Sequence, residues 1–252
     1  MNVTFDDAFQ FGLGVFETIC LHKGQPVLLD WHLERMNGSL HMLGISQEVQ
    51  EKDVLGWLEK QNTGQLPSLH AMKIMVSEQN KVVTFRANPY TRDVLRKGFH
   101  LNYSRICRNE TSPLVYHKTM NYGDNILEKR RTHDMKIDEF IFLNSKGEIC
   151  EGSTTNIFFV KNEQIYTPSL SSGLLPGIMR RFIMEHFQVN EKVLYPEDVK
   201  EMDECFVTNS LMGIMPVTNL AGREFADRTI TQNCMFIYDD FMRRYTGIPE
   251  LF

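Results

Sequence analysis

A mixed α/β (α+β) protein is predicted for this chain of 252 residues. Short runs of strand character, Val15 to Leu21, Met72 to Val76 and Val82 to Phe85, alternate with stretches whose apolar residues recur at helical spacing, such as Leu33, Met36, Leu40 and Leu43. The hydrophobic fraction of 42% and the charged fraction of 23% are those of an ordinary globular protein. The length suits one large domain or two modest ones.

Charge and composition exclude several classes. A formal net charge of −5 gives no electrostatic reason to expect nucleic acid or an anionic membrane as a partner. No apolar run is long enough to span a bilayer, and Met1 to Asp7 lacks the basic-then-apolar form of a signal peptide. A cytoplasmic protein is therefore expected. The five cysteines are scattered without a Cys-x-x-Cys, which suits reduced thiols and neither a disulfide framework nor a zinc site. The histidines form no helical ligand pair, so no metal is expected.

Phe11-Gly12-Leu13-Gly14-Val15-Phe16-Glu17-Thr18 opens the folded part, with spaced glycines allowing a turn into the first strand. Gly-x-Gly here precedes a strand, so it is not a dinucleotide loop. A second strand is expected through Val27, Leu28 and Leu29. Asp30 is a good N-cap for a helix from Trp31 to Leu43, and Ser46 for one from Glu48 to Gln61. Arg35 on the first of these, taken alone, reads as a partner for Glu34 or Glu48 on a solvated face. Thr63 to Pro67 reads as a loop, Asn88 to Asp93 as the start of a linker, and Phe99 to Ser104 as a strand. After Tyr122 a helix is expected with Ile126 and Leu127 on its apolar face. Asp138 to Leu143 and Ile149 to Glu151 read as a hairpin. An apolar helix follows Leu174 to Arg180, and a last helix covers Ile230 to Tyr245, with a tail from Thr246 to Phe252.

The stretch Tyr116-His117-Lys118-Thr119-Met120-Asn121-Tyr122 carries the chemistry. A lysine held among apolar and amide groups loses solvation, which favours its neutral, nucleophilic form. A lone lysine is more often a solvated surface residue. Three other stretches change that balance: His32-Leu33-Glu34-Arg35-Met36, Glu151-Gly152-Ser153-Thr154-Thr155-Asn156-Ile157-Phe158, and Gly177-Ile178-Met179-Arg180 with Asn209-Ser210-Leu211-Met212 beyond it. Together these motifs, in this order, resemble the pyridoxal-phosphate enzymes of fold type IV. Those include the branched-chain and D-amino-acid aminotransferases and 4-amino-4-deoxychorismate lyase. The match runs from about Phe11 to Val217, and several motifs read closest to the lyase.

The resemblance implies a two-domain, D-amino-acid-aminotransferase-like fold that binds pyridoxal 5'-phosphate between its domains. The small α/β domain would cover residues 1–92, a linker and first strand 93–112, and the large domain 113–252. It implies that Lys118 carries the cofactor and that Glu151 faces the pyridine nitrogen. Arg35, Tyr122, Thr154, Thr155, Ile178, Met179, Ser210 and Leu211 would complete the cofactor set. A carboxylate beside that nitrogen keeps it protonated, and a guanidinium suits a phosphate because its fork of donors stays charged. Aminotransferases of this fold usually carry Gly-Ile-Thr where this chain has Met179, and the D-amino-acid enzymes carry an Arg-x-His pair that is missing here. Family members usually begin with one more short strand, which is not expected here, either because the first hairpin is trimmed or because the true start lies upstream. The implied activity is the lyase reaction on aminodeoxychorismate, giving 4-aminobenzoate and pyruvate, in a homodimer. The freed Lys118 amine would move the substrate proton, and Thr18 would protonate the leaving group, although β-branched packing explains a strand threonine equally well. The rivals are an aminotransferase on the same scaffold and a non-catalytic protein that keeps the fold.

Overall fold

The computed structural model describes residues 2–61, 69–90 and 92–246. The expected α/β class is observed, in two compact units. The first combines the chain up to Pro89 with His117–Tyr122 and the stretch from Arg243. The second combines Tyr90–Tyr116 with Gly123–Met242.

In the first unit the elements are α1 (Asp7–Phe11), β1 (Val15–His22), β2 (Gln25–Pro26), α2 (Leu29–Met42), α3 (Glu51–Lys60), β3 (Leu69–Val76) and β4 (Lys81–Ala87). The strands form an antiparallel sheet in the order β2-β1-β3-β4. Val15, Ile19 and Leu21 of β1 and Met72, Ile74 and Val76 of β3 share one core with Met36 and Leu40 of α2 and Val54 and Leu58 of α3. Side chains alternate along a strand, so Phe16 and Thr18 lie on the opposite face. Lys73, in register with Thr18, lies there too.

Several boundaries differ from expectation. The second strand ends at Pro26, because Leu28 takes a left-handed conformation (φ 52°) that turns the chain straight into α2. Asp30 therefore sits in the first turn of α2 and is not its cap. Gln50 and Asp53 form a reciprocal capping box on α3. Ser46 instead gives its amide and hydroxyl to Glu78, at 2.8 and 2.5 Å. Ahead of β1, Asp6 caps α1 and accepts hydrogen bonds from Ser77, Gln79 and Asn80. The loop expected at Thr63 to Pro67 and the tail beyond Thr246 lie outside the described residues.

His117–Tyr122 groups with the first unit, although it lies within the stretch assigned above to the large domain. The cause is backbone pairing. The Phe16 amide donates to the Lys118 carbonyl at 2.9 Å, and the Met120 amide to the Gly14 carbonyl at 2.7 Å.

The second unit contains α4 (Arg92–Lys97), β5 (Phe99–Arg108), α5 (Gly123–Met135), β6 (Glu139–Asn144), β7 (Ile149–Gly152), β8 (Asn156–Lys161), β9 (Gln164–Pro168), α6 (Ile178–His186), β10 (Val189–Lys192), β11 (Glu204–Asn209), β12 (Gly213–Leu220), β13 (Arg223–Glu224) and most of α7 (Thr229–Thr246). Its sheet runs β10-β9-β8-β11-β12-β5-β6-β7, with β13 on β12. The unbroken apolar run Ile157-Phe158-Phe159-Val160 is buried on both faces of β8, as a central strand requires. Phe158 stacks on Phe206 of β11, and Phe182 of α6 meets Tyr238 of α7 edge-on.

The apolar face expected for α5 is inverted. Ile126 and Leu127 are 40% and 55% exposed, while Asn125, Glu128 and Thr132 are buried. Most of these buried polar groups find partners, although Glu128 Oε2 has none. Asn125 donates to the Ser153 carbonyl, Thr132 to the Lys129 carbonyl, and Glu128 pairs with Arg131. Burial of polar groups is tolerated only with such partners.

Candidate active site

In the first unit the Lys118 segment runs beside the start of β1, where Val15 bridges Thr119. This places the half-buried Lys118 amine 4.6 Å from the centre of the Phe16 ring and 5.2 Å from that of Tyr122. The two rings meet edge-on at 5.0 Å. Two aromatic walls beside an amine restrict water without offering it a counter-ion. Thr18 is the one half-buried residue of an otherwise buried strand.

Arg35 reaches across to the sheet. Its guanidinium grips Glu17 of β1 through Nε and Nη2, at 2.7 and 2.8 Å. His32, one turn earlier on α2, donates from Nδ1 to the same carboxylate at 2.7 Å. Burial would raise the Glu17 carboxyl, but the Arg35 guanidinium and then His32 hold it well below the usual carboxylate range. Burial pulls the His32 imidazole down, outweighing the opposite pull of Glu17, and Nδ1 donates its proton to the carboxylate. The network thereby fixes the direction of Arg35.

Glu17→Gln is expected to destabilise the fold by about 3–5 kcal/mol, since it leaves a buried cation without its anion. The folded carboxyl titrates below its unfolded value of about 4.3, so the contribution is full above that pH. It declines as pH falls toward the folded value. Urea unfolding at neutral pH checks this, and a change under about 1 kcal/mol would show a dispensable pair.

A residue passed over in the sequence is Lys73. Its amine lies 4.6 Å from the Phe16 ring, opposite Thr18. Burial, then the neighbouring charge of Arg86, pulls the Lys73 ammonium down from its ordinary value. The available signal was its alternation: Lys73 interrupts an apolar strand on the face that Thr18 shares.

In the second unit Glu151 is the next-to-last residue of β7 and is 6% exposed. Its Oε1 accepts from Arg108 at 2.9 Å, and its Oε2 from the Leu175 amide at 3.2 Å. The next turn is held by Glu139, which accepts from the Ser153 amide and hydroxyl and from the Thr154 hydroxyl at 2.8 Å. Thr154 is thus committed to Glu139, whereas the buried Thr155 hydroxyl has no partner. Asn156 accepts no such role: its amide holds the Leu175 carbonyl at 2.9 Å. A Cβ on Gly177 would stand 1.9 Å from Asn156 Oδ1, so only glycine permits this approach. Gly177 begins α6 without a side-chain cap, leaving its first amides, at Ile178 and Met179, without that partner. Thr208 pairs with Asn156 across β11 and β8, and its buried hydroxyl is also without a partner. Ser210 and Leu211 follow in the turn to β12. The Leu211 amide, expected on a phosphate, instead donates to Asn209 Oδ1 at 3.0 Å.

Glu151, Leu175, Asn156, Gly177 and Thr208 are therefore linked neighbours at one end of the sheet. An uncapped helix N-terminus and partnerless buried hydroxyls suit a phosphate, and a buried carboxylate suits a protonated ring nitrogen. These residues fit pyridoxal phosphate. Among the described residues no cluster could hold a metal ion, and no helix is long and apolar enough to cross a membrane.

The family model for class IV amino-transferases matches residues 14–220. The chain belongs to this family, whose members use pyridoxal phosphate as their cofactor. Aminodeoxychorismate lyase of Bacillus subtilis is 31% identical over 238 residues, which are 86% of this chain and 80% of the relative. A crystal structure from Legionella pneumophila, provisionally named as a 4-amino-4-deoxychorismate lyase, is 26% identical and superposes with a TM-score of 0.85 over 95% of each chain. The Escherichia coli branched-chain aminotransferase shares the fold, at 22% identity and a TM-score of 0.78, over 92% of this chain and 85% of its own.

Proposed function

We propose that the protein is a 4-amino-4-deoxychorismate lyase that works as a cytoplasmic homodimer. The strand face beside Lys118 carries this reading. Phe16 lies against the Lys118 amine, and Thr18 on the same face offers a half-buried hydroxyl. An elimination needs a proton donor for its leaving group, whereas a transamination expels none. The 31% identity to the Bacillus subtilis lyase supports the same choice. Exposed Ile126 and Leu127 on α5 are apolar surface of the kind a second subunit covers.

When bound, pyridoxal phosphate supplies an electron-accepting ring. In the second unit the Ile178 and Met179 amides, Thr155 and Ser210 would hold its phosphate. Glu151 sets a fixed negative charge toward the ring nitrogen. Tyr122 and Phe16 keep water from the Lys118 amine. Lys118 takes the proton from the amine-bearing carbon of the substrate. Thr18 passes a proton to the departing enolpyruvate, which becomes pyruvate as the remaining ring turns aromatic. Lys73 offers a cation to a substrate carboxylate.

Incubation with enzymatically made aminodeoxychorismate tests this. Equal amounts of 4-aminobenzoate and pyruvate are expected, with little conversion of the cofactor to its pyridoxamine form by branched-chain or D-amino acids. Fast single-turnover transamination without 4-aminobenzoate would favour the aminotransferase reading. Thr18→Val keeps the shape of the side chain and removes the hydroxyl. It is expected to retain bound cofactor and to slow lyase turnover about 10²-fold. Turnover within a factor of a few of wild type would return Thr18 to a packing role.

A further inference from the structure

We infer that Arg108 is the positioning residue that keeps Glu151 ionised and aimed. This rests on the reading that Glu151 faces the cofactor ring nitrogen. Arg108 ends β5, and its Nη2 reaches Glu151 on β7 from a strand 43 residues away in sequence. Its Nη1 donates to Asn125 Oδ1 of α5 at 3.1 Å, and Asn125 in turn donates to the Ser153 carbonyl at 2.8 Å. The guanidinium lies 4.1 Å from the centre of the Phe142 ring. Strand β5, helix α5 and the turn after β7 are thus linked through Arg108 and Asn125, and Arg108 carries that link to the Glu151 carboxylate.

Stability alone does not account for this arrangement. The Arg108 side chain is 13% exposed, and its Nε is buried without a partner. Such a donor costs free energy, and buried ion pairs are often replaced by apolar residues with no loss of stability. The pair has a chemical use instead. A buried carboxylate without a counter-charge tends to take up a proton and become neutral. A guanidinium cannot release its own proton at working pH, so it holds its partner as an anion. Only an anionic Glu151 opposes the charge on a protonated ring nitrogen. The contact to Glu151 is through one nitrogen, so a lysine ammonium at this position supplies the same charge.

The test is a double-mutant cycle on the holoenzyme, with thermal midpoint and the visible spectrum of the bound cofactor as further readouts. Arg108→Gln is expected to lower turnover about 10-fold or more and to shift the cofactor spectrum toward that of Glu151→Gln. In a Glu151→Gln background the same change is expected to cost less than about 2-fold, because the anion it serves is already gone. Arg108→Lys is expected to stay within about 5-fold of wild type. Equal losses in both backgrounds would reduce Arg108 to a structural role and overturn the inference. So would an unshifted spectrum, or an Arg108→Lys enzyme as impaired as Arg108→Gln. If Arg108→Gln does not fold, the Arg108→Lys enzyme and its spectrum decide the question alone. A Glu151→Gln enzyme that turns over like wild type would instead remove the reading on which the inference stands.

Discussion

Lys118→Ala is expected to abolish covalent retention of the cofactor and to lower turnover by about 10²–10⁴-fold, the range for a lost proton-transfer group. Two roles meet in this amine. On the proposed reading it would hold the cofactor at rest and move the substrate proton once displaced. The aromatic walls of Phe16 and Tyr122 stand at 4.6 and 5.2 Å from Nζ, and no other lysine has both neighbours among the described contacts. Borohydride reduction and peptide mapping of the wild-type protein should place the pyridoxyl group on Lys118. Finding it on Lys73, whose amine also lies against Phe16, would transfer the role to that residue.

Glu151→Gln should leave cofactor affinity nearly unchanged and lower turnover about 10²–10³-fold, the scale of a lost electrostatic stabiliser in a buried site. The neutral amide occupies the same space and keeps one acceptor oxygen, so one of the two bonds from Arg108 and the Leu175 amide can survive. What it lacks is the fixed negative charge that keeps a ring nitrogen protonated. On the proposed reading phosphate binding draws on the start of α6, not on Glu151, and so is expected to persist. Titration of the apoprotein with pyridoxal phosphate, followed by steady-state turnover, separates the two effects. Wild-type turnover would end the assignment of Glu151. Loss of cofactor binding in equal proportion would make the residue structural.

Much of the candidate site was legible in the chain because its chemistry sits in short contiguous motifs. The His-Lys-Thr-Met-Asn-Tyr run, the Glu-Gly-x-x-x-Asn-x-Phe run and Gly-Ile-Met-Arg each keep their meaning without knowledge of distant residues. The same holds for strand alternation in β1, which put Phe16 and Thr18 on one face and Glu17 on the other. Tertiary structure alone decided the partners. Arg35 meets Glu17, because sheet and helix bring together residues 18 apart. Lys73 reaches the Phe16 face only through the β1–β3 register. The polar face of α5 is the buried one because Arg108 and Ser153, from other elements, satisfy Asn125. The Thr154 hydroxyl meets Glu139, and the Leu211 amide meets Asn209. A sequence records which groups need a partner, since each donor and acceptor carries its own desolvation cost. Which partner meets that need depends on strand register and helix placement, and those are set by the packing of the whole chain.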